Sequence, residues 1–234
     1  MRIEDTTWMQ VEEHLRRDDR CVVPLGSTEQ HAYLSLCVDA ILSEKVAADA
    51  AAPLGVPVFP VLSYGITPYF MAFPGTVTLS RGTYERILAE VFGSLWAHGF
   101  RRFLVVNGHG GNTVARPALE AWAAAHDGAA LLWHDWWKAP RTIAAVKAID
   151  PAASHASWME GFPWTRVASV TAPGEHKASV DLSGREELTP RQFRERLGDG
   201  SFGGYYERPD AELLAIWEIA VEETRELLEG GWDS

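Results

Sequence analysis

The chain alternates short apolar runs with longer segments in which apolar residues recur every three or four positions. A short apolar run bounded by turn residues is typical of a buried strand, whereas the longer period is typical of a helix. Buried strands are therefore predicted at residues 21–25 (CVVPL), 56–65 (VPVFPVLSYG, interrupted by prolines), 103–106 (FLVV) and 130–137 (ALLWHDWW).

Amphipathic segments between these runs predict the helices. Residues 81–98 follow Ser80, a residue type that caps helix N-termini. Residues 210–229 place their apolar side chains on one helical face. The full set of predicted helices is 39–52, 81–98, 113–125 and 210–229. Strands that alternate with helices indicate an α/β fold with a mostly parallel sheet.

The segment 138–183 interrupts this alternation. It is rich in Trp, Pro, His and Gly and shows no clear periodicity. Because it is too apolar for a disordered linker, we expect irregular structure that faces the substrate. No internal repeat or domain boundary is visible, so residues 1–234 are predicted to form a single domain.

Composition narrows the classes of function. Hydrophobic residues make up 47% of the chain and charged residues 23%, which is ordinary for a globular protein. The formal net charge of −11 argues against nucleic acid or an anionic membrane as the partner, since both require a basic surface. The charge is compatible with a small polar substrate, which does not require a charged exterior.

The cysteines and the N-terminus bear on the cellular compartment. Cys21 opens a predicted core strand, and a disulfide to Cys37 stays open, but the spacing resembles neither a disulfide framework nor a zinc ribbon. The N-terminal residues are polar and acidic, unlike a signal peptide. No apolar run approaches the roughly 20 residues that span a bilayer. A cytoplasmic location is therefore expected.

Two loops, each directly after a predicted strand, carry residues suited to chemistry. GSTEQH (26–31) follows CVVPL, and NGHGGN (107–112) follows FLVV. In open α/β sheets, ligands bind beyond the carboxyl ends of the strands. Both loops are therefore expected to open onto one crevice.

Four side chains in or near these loops suit a divalent metal. Glu29 and His31 are two residues apart, so in extended backbone they point to the same side. Asp39 lies at a predicted helix start, and its two carboxylate oxygens can bridge two metals. In the glycine loop NGHGGN (107–112), His109 has the side chain that binds a metal well. Carboxylate and imidazole together are typical ligands of zinc or manganese.

Each of these features alone has a simpler interpretation. A Glu-x-His pair is common in proteins, and an Asp at the position of Asp39 can serve only as a helix cap. NGHGGN can be a strand-to-helix turn or a loop that cradles a phosphate. The loop lacks the Lys-Ser/Thr of a P-loop and the spacing of a dinucleotide site, which argues against a nucleotide binder.

Three blocks of the sequence together resemble the creatininase family. They lie in the family's order and spacing: PLGSTEQH followed by an Asp (24–39), LSYGITPYFMAFPGTVTLS (62–80) and VVNGHGGN (105–112). The resemblance is strong over residues 3–125 and loose beyond them. It implies a three-layer α/β/α sandwich with a mostly parallel sheet, a dinuclear metal site and a homo-oligomer, often a hexamer.

The resemblance also implies which residues hold the metals. Glu29, Asp39 and His109 would hold one ion, while His31, Asp39 and a further Glu would hold the second. Zinc is the expected ion, with manganese and iron as alternatives.

The further Glu has two candidates. Creatininase takes it from the glycine loop, where this chain has Gly111. A later block of related sequences has a Glu five residues after a His, and SHASWMEG (154–161) has this spacing at His155 and Glu160. Glu160 is therefore the predicted fifth ligand, and Glu175, in APGEHKAS, is the alternative.

The resemblance predicts a hydrolase in which a metal-bound hydroxide opens a small cyclic substrate, either a cyclic amide or a cyclic polyol ketone. His155 and Glu160 are the predicted catalytic residues, with His155 moving a proton to the leaving atom. The predicted substrate-binding residues are Thr67, Tyr69, Phe70, Gly110, Trp158 and Trp164, and Trp136 and Trp137 are further candidates for the pocket wall.

The sequence departs from the family pattern around the predicted substrate. HAYLSL (31–36) stands where many members have HGPHLP, and Thr67 and Phe70 replace a Ser and a His. The predicted metal ligands are retained, whereas the residues around the predicted substrate differ. This combination favours the same hydrolytic chemistry on a different substrate. The chain is most similar in these stretches to the 3-dehydro-scyllo-inosose hydrolase branch. A deformylase, a small-peptide amidohydrolase and a non-catalytic homologue are the alternatives.

Overall fold

A parallel sheet of three strands lies at the centre of the computed structural model, which describes residues 1–232. Across the sheet the order is β1 (Arg20–Leu25), β2 (Arg102–Asn107) and β3 (Ala130–Asp135). The last residues of the three strands lie side by side, since Leu25 pairs with Asn107 and Asn107 with Asp135. The loops that follow the strands therefore leave from one edge of the sheet.

Helices cover both faces of this sheet. They are α1 (Trp8–Leu15), α2 (Val38–Ala51), α3 (Arg81–His98), α4 (Arg116–Ala124), α5 (Pro140–Ile149), α6 (Pro190–Leu197) and α7 (Asp210–Gly230). A short antiparallel pair, β4 (His176–Lys177) and β5 (Gly204–Tyr205), lies outside the central sheet.

Alternation along the strands divides the core between the two faces. Val22, Leu104 and Val106 pack with buried residues of α2, α5 and α7. Val23 and Phe103, on the opposite face, pack with α3 and α4. Fully burying a side chain of this size stabilises the fold by about 1.5–3 kcal/mol. The arrangement is a three-layer α/β/α sandwich, which confirms the predicted fold class.

The predicted strand at 56–65 is wrong as a regular strand. Val58 and Leu62 form only isolated parallel bridges to β1. Pro57 and Pro60 have no N–H group, so they cannot complete a ladder of hydrogen bonds. The segment therefore runs as an irregular edge beside β1.

Several other boundaries differ from the predictions. The predicted helix 113–125 begins as a 3-10 turn at Gly110–Ala115 and becomes α4 only at Arg116. The strand predicted over 130–137 ends at Asp135, where a 3-10 turn follows. The segment 138–183 was predicted to be irregular but contains α5, which begins at a proline. Helices α1 and α6 lie outside the predicted set, although each has a capping box.

Two further features concern the state of the cysteines and the question of membrane-spanning helices. In the described part of the chain both cysteines are free, and Cys21 is buried in the core as predicted. Among the helices of residues 1–232, none combines the length and apolar character needed to cross a bilayer.

Candidate metal centre

Four polar side chains converge beyond the carboxyl edge of the sheet. Glu29 and His31 come from the loop after β1, His109 from the loop after β2, and Asp39 from the first turn of α2. Each is at most 5% exposed. Charged or polar groups are stable at such depth only when they are paired or bind an ion.

Asp39 lies between the two imidazoles. Its Oδ1 is 3.0 Å from His31 Nε2, and its Oδ2 is 3.0 Å from His109 Nδ1. The hydroxyl of Ser27 donates to Oδ2 at 2.9 Å. Glu29 Oε1 lies 3.4 Å from the same Nδ1 of His109. Each oxygen of Asp39 therefore faces a different imidazole, as in a carboxylate that bridges two metals.

Outer hydrogen bonds orient both imidazole rings. His31 Nδ1 donates to the carbonyl oxygen of Glu29 at 3.1 Å, and His109 Nε2 donates to the carbonyl oxygen of Ile66 at 3.0 Å. Each ring thus directs its other nitrogen toward Asp39. Metal-binding histidines are typically held in this way, by a donor bond from the nitrogen that does not bind the metal.

Glu160 joins the centre from the opposite side. Its Oε2 lies 3.9 Å from His31 Nε2 and accepts the backbone N–H of Ala156 at 2.6 Å. The ligand atoms of His31, Asp39 and Glu160 lie within 4.8 Å of one another, and so do those of Glu29, Asp39 and His109. The structure thus brings together both ligand sets that the sequence predicted.

The charges at the centre suit a cation. Burial by itself lowers the pKa of His31, but Asp39, with Glu160 and Glu29, raises it to about 10. Burial likewise opposes the charge of His109, yet Glu29 and Asp39 raise its pKa well above the usual range. Burial would raise the pKa of Asp39, but the two imidazoles hold it well below its usual value. The buried carboxylates thus require positive charge beside them.

A divalent cation fits this requirement. Glu29 Oε2 is buried and has no hydrogen-bond partner among residues 1–232. A cation beside it would satisfy that oxygen and would supply the positive charge that the imidazoles otherwise hold as protons. Carboxylate oxygens with imidazole nitrogens are donors that zinc and similar divalent ions accept.

His155 and Glu160 border the more accessible side of the centre. Their side chains are 16% and 14% exposed, whereas that of His31 is fully buried. Burial lowers the pKa of His155 to about 4, with a further contribution from His31, so its imidazole is neutral at pH 7. Burial raises the pKa of Glu160 to about 7. Two groups able to exchange a proton therefore lie where a substrate would enter.

The predicted substrate residues of the second and third blocks differ in their exposure. The ring of Phe70 stacks on His155, with centroids 4.9 Å apart and planes at 18°. Tyr69 is 36% exposed, yet burial of its hydroxyl raises its pKa to about 12, and this hydroxyl interacts electrostatically with His109. Gly110 is an exposed residue of the glycine loop, and Thr67 is fully buried.

The structure corrects the prediction for the tryptophans. Trp158 is fully buried in the core beneath α2 and α7, and its indole N–H donates to Asp150 Oδ2 at 3.2 Å. Its assignment to the substrate pocket is therefore wrong. Trp164 stacks on Phe162 at a centroid distance of 5.3 Å and packs, partly buried, against the same core. Trp136 is also a core residue, with 3% exposed.

The alternative ligand Glu175 does not reach the centre. It is exposed, next to β4, and it belongs to none of the groups of ligand-capable side chains found in the described residues. Of the two candidates, the structure therefore brings only Glu160 to Asp39 and His31.

Strained backbone next to the histidines was not predicted. Ala32 and Ala156, with φ of 50° and 57°, are the non-glycine residues of positive φ in the described chain. Each directly follows a histidine of the site, His31 or His155. Such strain costs about 1–3 kcal/mol per residue and is typical of functional sites. Alanine carries no sequence signal for this conformation, so the sequence could not reveal it.

Buried amides hold the glycine loop in place. Asn107 donates from Nδ2 to the carbonyl oxygen of His109 and to Asp135 Oδ1, both at 2.8 Å. Asn112 donates to the carbonyl oxygen of Gly26 at 3.1 Å, which joins the two strand-end loops. A Cβ at Gly108 would overlap the backbone of α2, so this close approach requires glycine.

Fold and site together define a three-layer α/β protein with a buried carboxylate–imidazole centre at the carboxyl edge of a parallel sheet. The family model Creatininase, described as creatinine amidohydrolase, matches residues 4–228. The chain belongs to the creatininase family, as the three sequence blocks predicted.

Curated relatives of different activity share part of the chain. The 3-dehydro-scyllo-inosose hydrolase of Thermotoga maritima is 32% identical over 119 residues, which are 50% of this chain and 38% of that protein. The mycofactocin precursor peptide peptidase of Mycolicibacterium smegmatis is 36% identical over 107 residues, 43% of each protein. The matched region thus spans less than half the length of each relative.

Solved creatininases share the whole fold. A tryptophan mutant of creatininase, type II, superposes with a TM-score of 0.83 at 20% identity, over 100% of this chain and 99% of the other. A mutant creatininase of the Zn-Zn type has a TM-score of 0.79 at 20% identity, over 100% and 98%. At this identity the likeness confirms the fold.

Proposed function

We propose that this chain is a hydrolase whose buried centre would hold two divalent cations, with Asp39 as a ligand of both. The observation that carries the proposal is the position of its two oxygens, each 3.0 Å from a different imidazole nitrogen. Glu29 completes the set on the His109 side and Glu160 the set on the His31 side. Zn²⁺ is the proposed ion because one solved creatininase with this fold is of the Zn-Zn type.

Divalent ions held there would supply water activation at neutral pH and polarisation of a substrate carbonyl. The residues around them would position the substrate and move protons. Burial raises the pKa of Glu160 to about 7, and a cation beside it would hold this side chain as the carboxylate that a ligand must be. His155 is neutral and lies at the accessible side, so it can pass a proton to the leaving atom.

The proposed substrate rests on the family's curated relatives and on the residues beside His155. Phe70, 1% exposed, stacks on His155, so an apolar ring takes the place of a hydrogen-bond donor there. The Tyr69 hydroxyl, kept protonated by its raised pKa, supplies a donor on the same side. We propose a cyclic amide or a cyclic polyol ketone, and the matched inosose hydrolase supports the ketone.

A small-peptide amidohydrolase is the second candidate. The similarity to a mycofactocin precursor peptide peptidase favours it, at 36% identity over 107 residues. Both candidates use the same attack on a carbonyl carbon, so they differ only in the substrate that the accessible side admits.

A metal titration with three substrates tests the proposal. The metal-free protein is expected to bind two Zn²⁺ ions per chain and then to hydrolyse one of creatinine, 3-dehydro-scyllo-inosose or a short peptide. Asp39→Asn is expected to lose both ions and at least about 100-fold in rate, since removal of one key electrostatic group costs that much.

The exposed Asp127 provides a matched control, because Asp127→Asn makes the same chemical change outside the centre. This variant is expected to keep the metal and the activity. A wild-type chain that binds no ion and turns over none of the three substrates would identify a non-catalytic homologue and overturn the proposal.

A further inference from the structure

The buried carboxamide of Gln30 has no role in the ligand sets, yet it touches His155. Gln30 is 4% exposed and lies between Glu29 and His31 in the chain. Its Nε2 is 2.9 Å from His155 Nε2. A buried polar side chain in direct contact with a proton-transfer residue can control which nitrogen of that residue carries the proton.

Two backbone partners set the orientation of this carboxamide. Oε1 accepts the backbone N–H of Ala32 at 3.1 Å, and Nε2 donates to the carbonyl oxygen of Gly200 at 3.0 Å. An amide oxygen only accepts and an amide nitrogen only donates. A flipped carboxamide would place two donors together at Ala32 and two acceptors together at Gly200, so only the observed orientation is compatible.

This orientation determines the state of His155. The second N–H of the Gln30 amide points at His155 Nε2, which must therefore accept. A proton on Nε2 could reach the backbone carbonyl oxygen of Gln30 at 3.2 Å, but it would then face the side-chain amide N–H of Gln30 at 2.9 Å. The neutral ring avoids this repulsion by carrying its proton on Nδ1.

The protonated nitrogen faces the metal centre. His155 Nδ1 lies 3.9 Å from Glu29 Oε1. We propose that Gln30 is a positioning residue that holds His155 as the Nδ1–H tautomer, which makes His155 a proton donor toward the centre and excludes it as a metal ligand. This inference rests on the proposed function only for its catalytic meaning, since the tautomer itself is a property of the free protein.

Aromatic rings and a glycine surround the contact between the ring and the amide. The ring of His155 contacts Phe70, at a centroid distance of 4.9 Å, and Phe202, at 4.8 Å. Gly200 has φ of 105°, and a Cβ there would overlap the Gln30 carboxamide. Glycine at position 200 therefore leaves the space that this amide fills.

Nitrogen-15 NMR of the metal-free protein reads the tautomer directly. The His155 ring, assigned by the loss of its signals in His155→Asn, is expected to show a protonated Nδ1 and an unprotonated Nε2 at pH 7. In Gln30→Glu, the carboxylate accepts instead of donating, so the proton is expected to move to Nε2. Gln192→Glu, at an exposed helix cap that accepts either residue, is the matched control and should leave the signals unchanged.

Steady-state kinetics separate this role from a merely structural one. Gln30→Glu removes the proton from Nδ1 of His155, so it is expected to lose about 100-fold in kcat, the usual size of a general acid contribution, with little change in KM. A protonated Nε2 on His155 in the wild-type protein would overturn the inference, even if Gln30→Glu does not fold. Because NMR requires no turnover, a correct tautomer in an inactive protein would count against the proposed function alone.

Discussion

At the scale of single residues, substitutions of Glu160 and Glu175, the two alternative ligands, test directly whether a second ion binds. Glu160→Gln keeps the shape of the side chain but removes the charge beside His31, so the chain is expected to bind one Zn²⁺ instead of two. The remaining ion should stay with Glu29, Asp39 and His109. Metal analysis after dialysis measures this stoichiometry.

Glu175 supplies the control for that variant. It is exposed and lies outside the ligand groups of the described chain, so Glu175→Gln is expected to bind as much metal as the wild type. The reverse pattern, with loss of an ion only in Glu175→Gln, would show that the loop before β4 moves into the centre when metal binds.

The sequence could identify ligands where spacing constrains them. Glu29, His31 and His109 were predictable because each follows a buried strand whose end lies at the ligand-binding edge of a parallel sheet. Glu160 follows no strand, so only the family resemblance pointed to it. Trp158 was misplaced because a tryptophan in an apolar, aperiodic segment can line a pocket or fill a core, and local pattern does not distinguish the two.

At the scale of elements, the segment that carries His155 and Glu160 is anchored by one carboxylate. Asp150 follows α5, is 2% exposed, and accepts hydrogen bonds from the indole of Trp158, the imidazole of His176 and the backbone N–H groups of Tyr205 and Ala152. It thus joins α5, the core and the β4–β5 pair at the base of the site. Asp150→Asn places an amide N–H among these donors and should cost about 1–3 kcal/mol of stability.

The same carboxylate predicts a dependence on pH. Burial by itself raises the pKa of Asp150, but the hydrogen bonds from His176, Tyr205 and Ala152 outweigh it and lower the pKa below 3.8. A depressed folded-state pKa means that the stabilisation is fully present above about pH 4, the usual range of an unfolded Asp, and is lost as the pH falls through the folded value.

Urea unfolding of metal-free protein between pH 6 and pH 3 checks this dependence. The wild type and the exposed control Asp127→Asn should lose more free energy of unfolding on acidification than Asp150→Asn, which has no carboxylate to protonate. An equal loss in all three proteins would show that Asp150 does not cause the pH dependence of stability.

Length and periodicity decided which elements were predictable. Helix α3 begins and ends at the predicted residues 81 and 98, and α7 differs from its prediction by one residue, because long amphipathic segments carry a strong signal. Helix α5 has only ten residues within a segment rich in tryptophan and proline, so its period was obscured. The region 56–65 has strand composition, but its prolines prevent a regular ladder.

At the scale of the whole molecule, the proposed cations connect segments that are distant in the chain. Asp39 belongs to a helix on one face of the sheet, while Glu29, His109 and Glu160 come from three separate loops at its edge. In the unfolded chain these ligands are far apart, so the ions bind the folded state. Binding to the folded state alone raises the free energy of unfolding by about 2.7 kcal/mol at a ligand concentration of 100 times Kd.

Thermal or urea unfolding with and without a chelator measures this coupling. Zn²⁺ is expected to stabilise the wild type by at least the amount above, and the chelator should abolish the gain. In His109→Ala one imidazole is missing beside Asp39, so the stabilisation due to the ion of the Glu29, Asp39 and His109 set should be lost, whereas the exposed histidine variant His98→Ala should keep it in full. If Zn²⁺ stabilised His109→Ala as much as the wild type, that ion would be binding elsewhere, since this ligand set loses affinity without the His109 nitrogen.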